Sequence, residues 1–214
     1  MGDYIFLGGG GFALELYGYV KEDGHNVIGY YALEESPELR EYIPWLGSTD
    51  TINDTEINRD ADYLLAVRLI KYRIKMIEFI EKNRLKAGSF IHSQVYKSVA
   101  ANLGKGVVAF PRAMITGNVK VGDYLFIDGM SVISHGDVIG KNVVIGPAVT
   151  ICGDCAIGDN VTFGVNSAVL PGTVIGSNSE IAINSYPAKR VSENSTIISL
   201  PGKNIGIQFN KNFQ

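Results

Sequence analysis

The sequence predicts a small parallel α/β domain over residues 1–88, followed by a parallel β-helix domain over residues 89–214. Two observations predict this fold class. Strand-like and helix-like stretches alternate in the first region. From Ile91 onward large aliphatic residues recur every six positions, and thirteen of the sixteen first positions between Ile91 and Ile181 are Ile, Leu or Val. At 214 residues the chain is long enough for two cores of moderate size.

The N-terminal region begins with a strand, a glycine turn and a helix in YIFLGGGGFALELYGYV. Residues 26–30 and 62–67 are predicted as further strands, and residues 68–82 as a second helix. Strands that alternate with helices favour a parallel, Rossmann-like sheet. The predicted apolar stripes are Ala13, Leu16, Tyr17 and Val20 on the first helix, and Ile70, Ile74 and Ile77 on the second.

The glycine turn carries a possible anion site. Gly8, Gly10 and Ala13 fit the pattern G-x-G-x-x-A, directly after a strand and at the start of a helix. Glycines there allow backbone N–H groups to approach a phosphate at the positive end of the helix. A dinucleotide site also needs an acidic residue at the tip of the second strand, where this chain has Tyr30 and Tyr31. Another nucleotide, a phosphorylated ligand or a purely structural turn therefore remain as alternatives.

The six-residue period predicts one short strand and one turn per hexad. A helix does not accommodate it, because six is not a multiple of 3.6 and the content of β-branched residues and glycine is too high. Most first positions are large and aliphatic, and fourteen of the sixteen fifth positions from Val95 to Ser185 are Val, Ala, Ser, Cys or Thr. Both are expected to point inward, so that stacked units bury a continuous core.

Composition excludes several classes of function. The net charge is −3 and the basic residues are scattered, which excludes a nucleic-acid partner and an anionic membrane surface. No apolar run of 18 residues predicts a membrane span, and the N-terminus lacks the basic region of a signal peptide, so a cytoplasmic location is expected. Cys152 and Cys155 form a lone CxxC, whereas zinc needs two more ligands. We interpret them as reduced structural cysteines and predict no metal site.

One histidine interrupts the repeat in VISHGDVIG, residues 132–140. His135 is the only histidine of the repeat beyond the first hexad, and Asp137 is the only charged residue in the small-residue column. A carboxylate in an inward position is costly unless it is paired. We therefore expect Asp137 to interact with His135 or with nearby backbone donors.

These features together resemble the hexapeptide-repeat sugar acetyltransferases, typified by the bacillosamine and perosamine N-acetyltransferases and the sialic-acid O-acetyltransferases. The resemblance covers nearly the whole chain. It implies a left-handed parallel β-helix with three walls, in which residues 18 apart stack over about five coils. It also implies a homotrimer with active sites between subunits. The matching segments are GGGGFALE, PWLGS, FIHSQV, VISHGDVIG and VLPGTVIG.

The resemblance assigns roles to individual residues. His135 is the general base, although Gly136 stands where the family usually has the supporting carboxylate, which leaves Asp137 and Asp128 as candidates. Asp128 matches a substrate-facing polar position, and the Gly153 N–H is implied to bind the acetyl carbonyl. The implied acetyl-CoA contacts are Val144, Gly153, Val165 and Ile183. The implied sugar-nucleotide contacts are Gly10, Gly11, Phe12, the tip formed by Tyr30 and Tyr31, and Gly47.

The function implied is transfer of an acetyl group from acetyl-CoA, as co-substrate, to the amino group of a nucleotide-linked amino-deoxy sugar. Imidazole titrates near neutral pH and accepts the proton that the attacking amine loses. Acetylation of a sugar hydroxyl uses the same base and is the first alternative. A non-catalytic nucleotide-binding scaffold is the second, and Gly136 is its best support. Near Pro187 the hexad ends, and there we expect the chain to leave the β-helix for a C-terminal tail.

Overall fold

The computed structural model describes residues 3–51 and 57–199. Its N-terminal region is a five-stranded parallel sheet in the order β3-β2-β1-β4-β5. Two helices connect its strands. Residues 200–214, which include LPGKN at the end of the expected C-terminal tail, lie outside the described residues. The elements are β1 Asp3–Leu7, α1 Gly11–Glu22, β2 Asn26–Tyr31, β3 Trp45–Gly47, β4 Asp62–Leu65, α2 Ile70–Lys82 and β5 Lys86–Ala87.

The two helices cover opposite faces of this sheet. Ala13, Leu16 and Val20 of α1 pack on one face, as predicted. The stripe predicted for α2 is partly wrong, because Ile77 is buried but Ile74 is exposed. The buried face of α2 is Arg73, Met76, Ile77 and Ile80. Arg73, which the predicted stripe did not include, is buried there with its hydrogen bonds satisfied.

The second region is a parallel β-helix with three walls, which confirms the predicted architecture. Wall 1 has seven strands, wall 2 five and wall 3 six. Paired residues are 18 apart, as in Val132 with Thr150. Wall 1 consists of Phe90–Ile91, Val108–Ala109, Phe126–Ile127, Val144–Ile145, Thr162–Phe163, Glu180–Ile181 and Thr196–Ile197. Wall 2 consists of Tyr96–Lys97, Met114–Ile115, Val132–Ile133, Thr150–Ile151 and Ala168–Val169. Wall 3 consists of Asn102–Leu103, Lys120–Val121, Val138–Ile139, Ala156–Ile157, Val174–Ile175 and Arg190–Val191.

The interior of the β-helix is lined by the first and fifth hexad positions, as expected. From Val107 to Ser185 the fifth positions are buried, including Asp137 and Cys155. At the corner after wall 3, Asn142, Asn160 and Asn178 have φ of 57°, 56° and 58°. Their amides donate along the stack to the next asparagine at 2.9–3.2 Å. The asparagine side chains therefore tie successive coils together at a corner where few other residues adopt this backbone conformation.

The β-helix continues beyond Pro187, so the expected exit point is wrong. Arg190–Val191 pairs with Val174–Ile175 and Thr196–Ile197 pairs with Glu180–Ile181, each at an offset of 16 residues. The last coil is two residues shorter than the others. This shortening breaks the hexad count in the sequence, although Val191 still turns inward.

The α/β sheet and the β-helix share an apolar core. Phe12 of α1 contacts Phe110 and Phe126, with ring centroids 5.7 and 5.1 Å away. Arg73 donates to the Asn142 side chain at 2.8 Å and to the Tyr124 carbonyl at 2.5 Å. The described residues contain no helix long and apolar enough to cross a membrane.

Candidate active site

His135 lies in the turn that follows the wall 2 strand Val132–Ile133. Its side chain is 73% exposed. The imidazole lies directly over Gly153 of the next coil, where an added Cβ would be 2.5 Å from the ring carbon Cε1. Within the described backbone hydrogen bonds, the Gly153 N–H is not a donor. The stacking of positions 135 and 153 therefore brings an accessible imidazole and an uncommitted N–H together.

A carboxylate that the sequence interpretation missed lies beside this ring. Asp154 Oδ1 is 4.0 Å from His135 Nδ1. Asp154 stacks on Gly136, and a Cβ at position 136 would collide with Asp154 Oδ1. Adding the 18-residue period to position 136 would have identified it, since Gly136 stands where the resembling family has its carboxylate.

Asp137 points into the interior of the β-helix, away from solvent. Its Oδ1 accepts a hydrogen bond from the Cys155 N–H at 2.8 Å, and Oδ2 has no partner among the described atoms. Burial raises the pKa of Asp137 to about 7, against the opposing effect of the Cys155 N–H and of His135. Of the two predicted contacts, the structure describes the one to a backbone donor and no hydrogen bond to His135. Cys152 and Cys155 are both free thiols.

The glycine loop borders a cleft of about 380 Å³. Gly10 has φ of 87° and precedes α1, whose N-terminus has no side-chain cap. The Gly10 N–H donates to Ser36 Oγ at 3.0 Å, and Ser36 Oγ donates to Glu38 Oε2 at 2.8 Å. Ser36 and Glu38, which line the cleft, were not identified from the sequence because the loop between β2 and β3 has no periodic pattern.

The other predicted sugar-nucleotide residues are distributed unevenly around this cleft. Gly11 is exposed at the start of α1, and Phe12 lines an adjoining cleft that shares Gly9 with the first. Tyr31 is buried and its ring stacks against Tyr63, because β2 is an interior strand with both faces covered. The Tyr31 ring therefore does not line the cleft. Gly47 ends β3, and its carbonyl accepts from the Ala32 N–H at 3.4 Å.

An ion pair connects the clefts to the β-helix. Arg68 Nη1 lies 3.1 Å from Asp128 Oδ2, and its guanidinium lies 5.2 Å from the centre of the Phe12 ring. Burial raises the pKa of Asp128, while the Gly129 N–H and Arg68 oppose the shift. Arg68 is a further residue that the sequence interpretation missed, since nothing in its local pattern distinguishes it from a solvated cation.

The predicted acetyl-CoA contacts do not all lie at one surface. Val165 and Ile183 are exposed, 18 residues apart, at the corner after wall 1. His135 and Gly153 lie at the corner after wall 2. The Val144 side chain is only 4% exposed and packs in the core shared with α1, so a ligand has no access to it. Wall 2 therefore separates the two exposed groups.

Residues 138–169 match the family model of the bacterial transferase hexapeptide, which comprises six repeats. This segment of the β-helix is therefore similar to the hexapeptide transferases. A comparison of its sequence with curated proteins finds no match. The matched segment includes Gly153 and Asp154 and begins three residues after His135.

Solved structures resemble this chain over nearly its full length. PerB from Caulobacter crescentus, in complex with CoA and GDP-perosamine, has a TM-score of 0.83 at 21% identity, covering 95% of this chain and 97% of PerB. The acetyltransferase domain of PglB from Neisseria gonorrhoeae, with acetyl coenzyme A, has a TM-score of 0.80 at 18% identity, covering 92% and 98%. WeeI from Acinetobacter baumannii has a TM-score of 0.77 at 18% identity, covering 92% and 97%. The resemblance predicted from the sequence is confirmed, and at these identities it establishes the fold.

Proposed function

We propose that the chain is an acetyl-CoA-dependent N-acetyltransferase that acts on the amino group of a nucleotide-linked amino-deoxy sugar. The observation that carries the proposal is the exposed His135 imidazole stacked on Gly153, whose N–H is not a donor in any of the described backbone hydrogen bonds. The similar solved structures support the substrate classes, since one contains CoA with GDP-perosamine and another contains acetyl coenzyme A. Two others are variants of the perosamine N-acetyltransferase in which one histidine is replaced.

The proposed chemistry needs one base and one hydrogen-bond donor. As the sugar nitrogen forms a bond to the acetyl carbonyl carbon, His135 accepts the proton that the nitrogen loses. The Gly153 N–H donates to the carbonyl oxygen, which becomes negatively charged. As the bond from carbon to sulfur breaks, the proton on His135 passes to the departing CoA sulfur. The acetylated amine and the CoA thiol are the products.

The glycine loop is the proposed site for the acceptor's diphosphate. The start of α1 has backbone N–H groups without a side-chain cap and no acidic residue in its first turn, which favours an anion. Arg68 lies between this loop and Asp128 and adds a positive charge on the route from the cleft to the β-helix. Gly10, Gly11 and Phe12 remain the proposed acceptor contacts.

We further propose that the enzyme is a homotrimer located in the cytoplasm. His135 lies at one corner of the β-helix, and Val165 and Ile183 lie at the next, with wall 2 between them. A neighbouring copy that packs along the β-helix would enclose the exposed imidazole in a cleft and exclude water from it. Sedimentation of the purified chain tests the trimer directly, and a stable monomer would contradict it.

The test of the function is release of CoA in the presence of a panel of nucleotide-linked amino sugars, carrying either guanosine or uridine. His135→Ala should lower kcat by about 10²–10⁴-fold, the usual contribution of a general base. His25→Asn is the matched control, since it removes a histidine far from the proposed site. Turnover with free sialic acid, but with no amino sugar, would favour O-acetylation. No turnover with any acceptor would favour the scaffold, and an unchanged rate in His135→Ala would remove the proposed base.

A further inference from the structure

The corner that holds His135 has an unusual distribution of side chains between two adjacent coils. The residue after the histidine is Gly136, with φ of 74°, and it presents no side chain. One coil further on, the stacked residue is Asp154, with φ of 62° and a side chain that is 73% exposed. The carboxylate at this corner therefore comes from the next coil, and the glycine beneath it leaves the space that the carboxylate uses.

The two positions compete for the same volume. A Cβ built on Gly136 would collide with Asp154 Oδ1 and lie 3.3 Å from Asp154 Cγ. A side chain at 136 and the carboxylate at 154 are thus mutually exclusive in this arrangement. Asp154 Oδ1 is also 4.0 Å from His135 Nδ1, which a small rotation of either exposed side chain can shorten to a hydrogen bond.

We propose that Asp154 is the positioning residue for His135, acting from the following coil in place of a carboxylate at position 136. This inference rests on the proposed function. A carboxylate that accepts a hydrogen bond from Nδ1–H holds the imidazole in one tautomer and stabilises the imidazolium that forms when Nε2 takes a proton. The ring is confined from below by Gly153, so Asp154 needs to control only its rotation within the corner.

Asp137 is the other titratable group close to the imidazole, and the geometry assigns it a different role. Its charge interacts with those of both His135 and Asp154, but its Oδ1 is committed to the Cys155 N–H within the core. Asp154 is exposed on the same side as the imidazole. Of the two carboxylates, Asp154 is therefore the exposed one, with an oxygen 4.0 Å from Nδ1, whereas the second oxygen of Asp137 is buried in the core.

Two variants separate positioning from a structural role in the turn. Asp154→Asn removes the charge and keeps a residue that tolerates positive φ, as Asn118 does with φ of 58° at the equivalent corner position. We expect kcat/KM to fall about 10-fold or more. The loss should appear in kcat, with the KM of either substrate unchanged, because the carboxylate orients the base and does not contact the substrates. Asp159→Asn, at another corner of the β-helix, is the matched control and should change neither.

A double variant tests rescue. Asp154→Gly should lose activity, and Gly136→Asp combined with Asp154→Gly should restore a large part of it, because the carboxylate then occupies the vacated volume beside the histidine. Wild-type rates in Asp154→Asn and Asp154→Gly would overturn the proposal, as would a failed rescue in a double variant that retains the wild-type melting temperature.

A measurement without substrate distinguishes this proposal from the function on which it rests. The ¹⁵N chemical shifts of the His135 ring, measured by NMR in the full chain at one pH, should report a larger fraction of the Nδ1–H tautomer in wild type and Asp159→Asn than in Asp154→Asn. That result together with no acetyl transfer would refute the enzymatic function and retain the contact. Identical tautomer fractions in all three proteins would refute the contact itself.

Discussion

Asp137 makes the stability of the β-helix depend on pH in an unusual direction. It occupies a position that in other hexads holds Val, Ala, Leu, Ser, Cys or Thr. It is fully buried, and one of its oxygens has no partner among the described atoms. The informative change is Asp137→Asn, which keeps the shape and the acceptor for the Cys155 N–H but has no charge to lose. We expect this variant to be more stable than the wild type above neutral pH.

The magnitude follows from the shift in protonation. Burial raises the pKa of Asp137 from 3.8 to about 7 in the folded chain. The folded protein thus binds this proton more tightly than the unfolded chain does. The stability that the protonated form contributes is fully present below about pH 4 and is lost as pH rises through about 7. One pKa unit corresponds to about 1.4 kcal/mol, so the loss between pH 5 and pH 8 is about 2–3 kcal/mol.

The assay is denaturant unfolding of both proteins at pH 5 and pH 8, at one protein concentration. The quantity of interest is the difference in unfolding free energy between the wild type and Asp137→Asn, since other titrating groups cancel in it. That difference should change by about 2–3 kcal/mol in favour of the variant at pH 8. Asp159→Asn, an exposed turn residue, should show no such change. An equal difference at both pH values would mean that Asp137 is ionised throughout, and the reasoning from burial would be refuted.

Three further substitutions test other parts of the structure. Gly153→Ala should displace the His135 ring, since the new methyl group would lie 2.5 Å from it. The displacement should lower kcat about 10²-fold without a change in melting temperature. An unchanged kcat would contradict the stacking. Arg73→Met should lower the unfolding free energy by about 3 kcal/mol in denaturant titrations, because the buried Tyr124 carbonyl loses its donor. A loss below about 1 kcal/mol would contradict this. Ser36→Ala should raise the KM for the nucleotide-linked sugar about fivefold with kcat unchanged, because one hydrogen bond that orders the glycine loop is lost. An unaltered KM in steady-state kinetics would exclude Ser36 from acceptor binding.

The repeat region was predictable because its sequence period and its structural period are the same. Ile133 and Ile151 occupy equivalent hexad positions and pair directly on wall 2. The order of β1, the glycine turn and α1 was equally predictable, since a helix that covers a parallel sheet has one apolar stripe. The last coil escaped prediction because two missing residues broke the count while Val191 still turned inward.

The site residues whose positions follow from the 18-residue stacking were predictable, whereas those whose positions depend on burial were not. His135 and Gly153 are one period apart, and so are Gly136 and Asp154. The sequence places Tyr31 at the end of an apolar strand, which predicts an exposed tip residue. In the structure its ring is buried, because β2 is an interior strand of the sheet. The burial of Arg73 was not predicted, because its carbonyl and amide acceptors come from residues 67, 124 and 142, far apart in the sequence.

The 18-residue register also determines which changes in chain length the fold can accept. An insertion of one whole period between Val169 and Ile175 adds a coil and keeps every later column in phase with the earlier ones. An insertion of six residues advances each subsequent strand by one third of a rotation and sends it to a different wall. Between His135 and Gly153, insertions of six and of eighteen residues both disrupt the site, since even a complete extra coil places a new residue under the imidazole. The β-helix is therefore modular along its axis only at steps that carry neither this pair nor a contact with the α/β region, such as those of Arg73 with Tyr124 and Asn142.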